Sequence, residues 1–252
     1  MTESRAHDAS HELVSRGGQA LTYDSRGNVL TDDRGNVYAW DVENRLQSIT
    51  PATVSEGAQR VTFAYDTQWR RVAKVVSYRD GDHWEPLVTH QFLYDGWNLI
   101  TEITDLVPAY QIDTSTYVWG EDVSGTLQGA GGIGGLICAS FNGTTAFYHY
   151  QANGNVMALT DATGALAASY AYTPYGALLA ATGPLAAVNP MRFSTKYTDD
   201  ETGLLYYGYR YYDAGVGRWL SNDPIGISGG LNMYGFCGNN PCLLYTSPSP
   251  RD

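Results

Sequence analysis

The chain has 252 residues and a formal charge of −11. This is enough for one large domain or two small ones with ample core. The acidic balance argues against nucleic acid and anionic membrane surfaces, which need clustered Lys and Arg, and Arg70–Arg71 is the one adjacent basic pair. Twenty Tyr against six Phe, with 28 Gly, point to strands and tight turns. The three cysteines, Cys138, Cys237 and Cys242, fit neither a disulfide framework nor a zinc site. No apolar run reaches the roughly 18–20 residues of a membrane span.

Residues 1–19 form a polar N-terminal segment without the apolar stretch of a signal peptide. His7 and His11 stand four apart with Glu12 beside them. No third ligand or apolar helix face supports a metal there, so a frayed end is expected.

Over residues 20–189 one unit recurs: aromatic, any residue, aromatic, Asp, two residues, a Gly-Asn or similar turn, then Val or Leu. It reads LTYDSRGNVL at 21–30, YAWDVENRLQSI at 38–49, FAYDTQWRRVAKVV at 63–76 and FLYDGWNLITEI at 92–103. YVWGEDVSGTL at 117–127 is a weaker copy, FYHYQANGNVMALTD at 147–161 has Gln151 at the Asp position, and SYAYTPYGALL at 169–179 is a further variant. The anchor positions are 24, 41, 66, 95, 120, 151 and 173, a loose period. Phe63 and Tyr65 alternate onto one strand face, and Asp66 ends the strand in a turn. Val72, Lys74 and Val76 alternate along the return strand, so each unit is predicted to be a β-hairpin. A hairpin alone is marginal, so successive units must join into a sheet.

Three further features carry possible chemistry. Gly129, Gly131 and Gly134 satisfy G-x-G-x-x-G, but neither a buried strand before them nor a long helix after them is expected, which favours a packed or flexible loop over a nucleotide site. His149, between Tyr148 and Tyr150, reads as a structural or surface histidine. Asp199, Asp200 and Glu201, before Thr202–Gly203, read as a solvated turn rather than an acid–base site. Downstream, YGYRYY at 207–212 is expected to be one strand, with Tyr207, Tyr209 and Tyr211 on one face and Gly208, Arg210 and Tyr212 on the other.

These units resemble the YD repeats of the RHS (rearrangement-hotspot) family of bacterial polymorphic toxins, Tc-toxin shell subunits and teneurins. YVWGEDVSGTLQGAGGIGGLI at 117–137 is similar to a characteristic family segment, and residues 192–241 (RFSTKYTDD…FCGNNP) are similar to the RHS-associated core. The resemblance implies an all-β fold of antiparallel hairpins, forming part of a spiralling sheet that encloses a C-terminal toxin polypeptide. It divides the chain into the repeat array at 20–189 and the core at 190–241. It implies a structural role with no cofactor and no metal, and Arg210 is then expected to face the shell interior. The enclosed toxin is the implied partner, alongside secretion-apparatus or Tc-type subunits, in a secreted or cell-surface parent. A surface module for adhesion or carbohydrate binding is the alternative; it would present Tyr and Trp in an open groove rather than packed between hairpins.

The resemblance also implies self-cleavage by an aspartyl-protease-like reaction, with Arg210 in GYRYYD and Asp223 in NDPIG as the matching catalytic positions. The family's second Asp-Pro motif does not follow Asn239–Asn240–Pro241, so the site is expected to be incomplete and inactive. Residues 242–252 instead resemble the translated read-through of a sequencing adapter, and a non-native tail is expected there.

Overall fold

The chain turns back on itself every few residues, and the turns explain its architecture. This is a computed structural model in which residues 3–240 are described; the adapter-like Cys242–Asp252 lies outside them. The expected all-β fold is present. Among the described residues the helical pieces are 3₁₀ turns of three or four residues.

The Asp of each repeat builds a hairpin loop by itself. Asp66 N–H donates to the Arg70 carbonyl at 2.9 Å, and Trp69 N–H donates to the Asp66 carbonyl at 3.1 Å. Asp66 Oδ1 accepts the N–H groups of Gln68 and Arg70 at 2.8 and 2.9 Å. Oδ2 takes the Arg70 guanidinium at 2.8 Å. This is a three-residue loop whose third residue is left-handed, with φ of 69° at Trp69, 62° at Asn44 and 79° at Gly27. Asp24, Asp41 and Asp161 repeat the pattern. So does Asp32, which lies outside the anticipated repeat. In the weak copy the anchor is not position 120 but Asp122: its N–H donates to the Thr126 carbonyl, its carbonyl accepts Gly125 N–H, and Oδ1 accepts Ser124 N–H. At Asp66 burial pushes the carboxyl pKa up, and the Arg70 and Gln68 hydrogen bonds more than offset it, leaving the group below its ordinary value.

At six loops the aromatic before the anchor ties its hairpin to the preceding segment. Tyr65 Oη donates to the Leu46 carbonyl at 2.7 Å, Trp40 Nε1 to Val29 at 2.7 Å, and Trp119 Nε1 to Leu99 at 2.7 Å. Tyr172 Oη reaches the Val156 carbonyl at 2.9 Å, Tyr23 Oη reaches Leu13 at 3.2 Å, and Tyr150 Oη donates to Leu136. At these aromatics the strand register of their own hairpins shifts by a bulge. Next to the bulge, the phenol or indole supplies a donor to a backbone carbonyl.

Two units are built this way. The first runs to Gln91 and includes Thr104–Gln111 and Trp219–Gly235. In it Thr22–Tyr23, Val29–Thr31, Val37–Trp40, Leu46–Thr50, Gln59–Tyr65 and Arg71–Asp80 follow one another as antiparallel neighbours. Ahead of them, the expected frayed end is instead a three-stranded sheet of Arg5–His7, Leu13–Arg16 and Gln19–Ala20. Leu13 is buried and both its backbone groups bond the Tyr23 hydroxyl, which holds this segment. Lys74 and Val76 share a buried face as expected, with Arg71 buried nearby over the Phe63 ring.

The second unit holds Phe92–Ile103, Ile112–Arg218 and the chain from Phe236. Leu136–Phe141, Thr144–Tyr150, Val156–Asp161, Leu166–Tyr172 and Leu178–Thr182 are successive antiparallel neighbours. Tyr148 and Tyr170 are buried, and the pairs Tyr148/Tyr150 and Tyr170/Tyr172 are each stacked at 18° between ring planes. Asn189, fully buried, accepts from the Tyr148 hydroxyl at 2.6 Å and donates to the Tyr170 hydroxyl at 3.1 Å.

Removing one tie tests its weight. Tyr65→Phe and Tyr172→Phe should each cost about 1 kcal/mol, the value of one such hydrogen bond, while keeping the ring in the core; denaturant unfolding checks this. Asp66→Ala should cost about 1–2 kcal/mol at pH 7, because it strips charge-assisted bonds from the loop. Since the folded pKa of Asp66 is lowered, that stabilisation is full above about pH 4 and fades as the pH falls through the folded pKa. Unfolding of wild type and variant at pH 7 and at pH 3 should therefore give a gap that narrows in acid.

Candidate functional site

The segment holding Arg210 is a hairpin, not a single strand. Leu204–Tyr206 pairs antiparallel with Tyr211–Asp213, matching Tyr206 with Tyr211. Tyr207 N–H donates to the Arg210 carbonyl at 3.0 Å across the turn. Gly208 sits in that turn at φ 93°, which a side chain would strain. The predicted alternation therefore breaks at this turn. Tyr207 and Tyr211 are buried, Tyr209 is 38% exposed, and Tyr212 stacks on Phe236 with centroids 4.3 Å apart. Tyr212 Oη donates to the Tyr175 carbonyl at 2.8 Å. Arg210 enters the return strand and is 3% exposed.

Asp223 belongs to the first unit. The segment around it docks on the loop of the first repeat. Val29 N–H donates to the Leu220 carbonyl at 2.9 Å, Asn222 Nδ2 to the Arg26 carbonyl at 2.9 Å, and Tyr234 Oη to the Gly27 carbonyl at 2.8 Å. Asp223 is half-buried and opens a turn of its own: Oδ1 accepts Ile225 N–H at 2.9 Å, and its carbonyl accepts Gly226 N–H at 2.9 Å. The carboxylate therefore shapes the Asp-Pro-Ile-Gly turn locally.

The glycine-rich loop is closely packed. Asp122 Oδ2 accepts the N–H groups of Ala130 and Gly132 at 2.7 and 3.0 Å. Ala130 and Ile133 are buried, and Gly134 N–H donates to Thr195 Oγ1 at 2.8 Å. At Gly132 φ is 80°, and a Cβ would stand 2.7 Å from Asn98 Oδ1 and 3.0 Å from the Trp119 ring. Lys196 reaches this loop, with Nζ donating to the Gly131 carbonyl at 2.7 Å and lying 5.2 Å from the centre of the Tyr207 ring. Burial pushes its pKa down to about 8, against the opposing charge of Asp122.

The remaining candidates fall into structural places. His149 is exposed on the outer face of its strand, with Nε2 2.9 Å from Thr160 Oγ1. Asp199–Glu201 is a turn in which Thr202 and Gly203 N–H groups donate to the Asp199 carbonyl, and Asp200 pairs with Arg192 at 2.6 Å. Cys138 is a free thiol. Sequence reasoning missed Asn189 and Lys196 because their partners are set by packing between distant segments, and it missed Asp122 although its partners lie within ten residues. Only Asp122 had a local signal, an acid three residues before a glycine.

The Lys196 amine has a signed pH dependence. Below about pH 8 the folded chain holds a buried ammonium; between pH 8 and the ordinary lysine value near 10.4 the folded amine has lost its proton while the unfolded one keeps it. Stability of wild type relative to Lys196→Met should thus rise by on the order of 1–3 kcal/mol from pH 7.5 to 10.5, measured by denaturant unfolding of both proteins at each pH.

Similarity to known proteins matches this geometry. The family model of the Teneurin YD-shell matches residues 6–242. The double-stranded DNA deaminase toxin A of Burkholderia cenocepacia is 28% identical over 254 residues, covering 94% of this chain and 17% of that protein. The tRNA nuclease WapA of Bacillus subtilis is 30% identical over 248 residues, covering 96% of this chain and 10% of that protein. Among solved structures, the crystal structure of TcdB2-TccC3 superposes with a TM-score of 0.71 at 25% identity, covering 91% of this chain and 11% of that one. The chain therefore spans a fifth or less of the length of each. With its repeating tyrosine ties, its Asp-built loops and a match over nearly its whole length, the chain belongs to the Teneurin YD-shell family, the RHS class that its repeats resemble.

Proposed function

We propose that the section of YD shell formed by this chain helps to enclose a toxin polypeptide carried in cis by a longer parent. The structural role rests on one observation: the repeat aromatics are spent inside the protein. Tyr38, Tyr117, Tyr148 and Tyr170 are buried, and their hydroxyls donate to Asp32, Glu102, Asn189 and the Ala186 carbonyl. Aromatics arranged for an adhesion or carbohydrate-binding groove would instead lie open, so the structural reading is favoured. The parent is proposed to be secreted or displayed at a cell surface and to work with secretion-apparatus or Tc-type subunits. The likeness to a TcdB2-TccC3 assembly supports the Tc-type partner.

Arg210 and Asp223 are proposed as two members of a self-cleaving aspartyl site. Such chemistry needs two carboxylates, one ionised to activate water and one protonated to polarise the scissile carbonyl. Asp223 supplies one, and the second is proposed to come from the parent downstream. Arg210 would stabilise the ionised carboxylate or a developing oxyanion.

Restoring the native downstream sequence and enough upstream repeat to close the shell tests this. The parent should cut itself downstream of Pro241, Asp223→Asn should stay intact by mass spectrometry while keeping its far-UV spectrum, and Arg210→Ala should be slowed. Efficient cutting by Asp223→Asn would refute the assignment. Resistance of the downstream polypeptide to added protease tests enclosure separately.

A further inference from the structure

Two lysines stand in this chain, Lys74 and Lys196. Lys74 is 2% exposed. Lys196 is half-buried and lines a cavity of about 100 Å³ in the second unit. A strained turn puts it there. Ser194 and Thr195 take φ of 51° and 55°, which is unfavourable for Ser and more so for a β-branched Thr. Lys196 N–H donates to the Phe193 carbonyl at 3.0 Å, and the Lys196 carbonyl accepts Arg192 N–H at 3.1 Å. The Thr195 hydroxyl accepts Gly134 N–H and donates to the Gly154 carbonyl, which locks the turn. Strain of this kind persists only where the surroundings hold it, and it gathers at functional sites.

The amine sits at the cavity wall. Nζ donates to the Gly131 carbonyl at 2.7 Å and lies 5.2 Å from the centre of the Tyr207 ring, and both residues line the space. No other charged side chain lines it among the described residues. Tyr94, Tyr197, Tyr206, Tyr207 and Tyr209 do, and phenols ordinarily titrate near 10. Tyr197 is committed to Glu102 at 2.6 Å, and the Gln128 amide is committed to Trp97 N–H and the Asp95 carbonyl. From the glycine-rich loop Asp122 opposes the effect of burial on the amine, while its oxygens take the N–H groups of Ser124, Ala130 and Gly132. A desolvated lysine in such a pocket is a nucleophile. The phenol, indole, hydroxyl and carboxamide groups around it form no lasting adduct with a carbonyl compound.

The contacts of Nζ select the product. Its lone pair attacks the carbonyl carbon of an aldehyde, both amine protons leave on the aldehyde oxygen as water, and a solvent proton completes the iminium. That product keeps one N–H for the Gly131 carbonyl and a positive charge for the Tyr207 face. An acylated lysine would lose the charge, and a carbamate would set an anion against the same carbonyl. Size limits the partner: benzene fills a cavity of about 150 Å³, so this smaller space takes a chain of about three or four carbons. Trp97 and Tyr209, with ring centroids 4.8 Å apart, give that chain an apolar wall. We infer that Lys196 captures a small apolar aldehyde in this cavity as a protonated imine. The inference goes beyond the enclosing role and does not depend on it.

The test treats the whole chain with propanal and cyanoborohydride, which reduces the imine to a stable secondary amine, and maps the label by peptide mass spectrometry. N-acetyl-lysine N′-methylamide in the same tube reports an ordinary lysine. At pH 7.5 Lys196 should be labelled on the order of tenfold faster than this standard, because the ordinary amine is almost wholly protonated there. Lys74 should be labelled more slowly than the standard. The advantage of Lys196 should shrink as the pH rises toward 10.5, where the standard loses its proton too. Labelling of Lys196 should saturate with propanal, and 2-naphthaldehyde, too large for the cavity, should show no preference for it. Trp97→Ala should raise the half-saturating propanal concentration about fivefold through lost apolar contact, with near-UV circular dichroism as the folding control. Labelling of Lys196 no faster than the standard, labelling that stays linear in propanal, or an equal preference with 2-naphthaldehyde each overturns the inference on wild type alone.

Discussion

A donor at the tip of an apolar ring holds this fold together. A bulge breaks the strand register at Tyr23, Trp40, Tyr65, Trp119, Tyr150 and Tyr172, and each of these rings donates to a backbone carbonyl that would be costly to bury unpaired. Phenylalanine would fill the space and leave that carbonyl unmet. A short polar residue would meet the carbonyl and leave the space empty. Tyrosine and tryptophan do both, as Tyr65, Tyr172, Trp40 and Trp119 show. The excess of Tyr over Phe is thus a consequence of sheet geometry.

The aspartate that follows works in a different direction. The ring joins one hairpin to its predecessor, whereas the carboxylate closes the loop of its own hairpin. Two adjacent residues therefore fix both the turn within a unit and the register between units. Where the second function is replaced the first survives: Gln151 and Thr173 stand in the Asp position, yet Tyr150 and Tyr172 keep their ties. The backbone bonds of those loops are also retained, which shows that the bracket is shared between main chain and side chain.

Much of this was legible because it is local. Alternation of period two and an acid followed by a left-handed residue identify hairpins wherever they occur, and they located the loops at Asp24, Asp41 and Asp66. The same rules slipped where local signals competed. The repeat pattern puts the anchor at position 120, while the loop is closed by Asp122. YGYRYY alternates like a strand, yet Gly208 lets it fold into a hairpin. The strands before Gln19 carry little hydrophobic pattern and are held by Tyr23, a partner from the next segment. Arg210 and Asp223 were found by resemblance, since nothing in their spacing distinguishes them from a buried strand arginine and a turn aspartate. Lys196 and Asn189 owe their roles to segments far away in the chain, which periodicity cannot see.

The position of the ties has a consequence for how such a chain can change. The ring ties sit at one end of the hairpins, beside the repeat anchors, while the opposite ends vary, from the Asp-built loops at Asp32 and Asp161 to the tight Asp80–His83 turn and the longer 3₁₀ connection at Val107–Ala109. A genetic exchange between two copies that cuts at those opposite ends removes or adds one whole hairpin. The new neighbours then meet through the same ring-to-carbonyl joint as the old ones. Recombination can thus lengthen or shorten the array without inventing any new interface, and copies of unequal length can accumulate side by side.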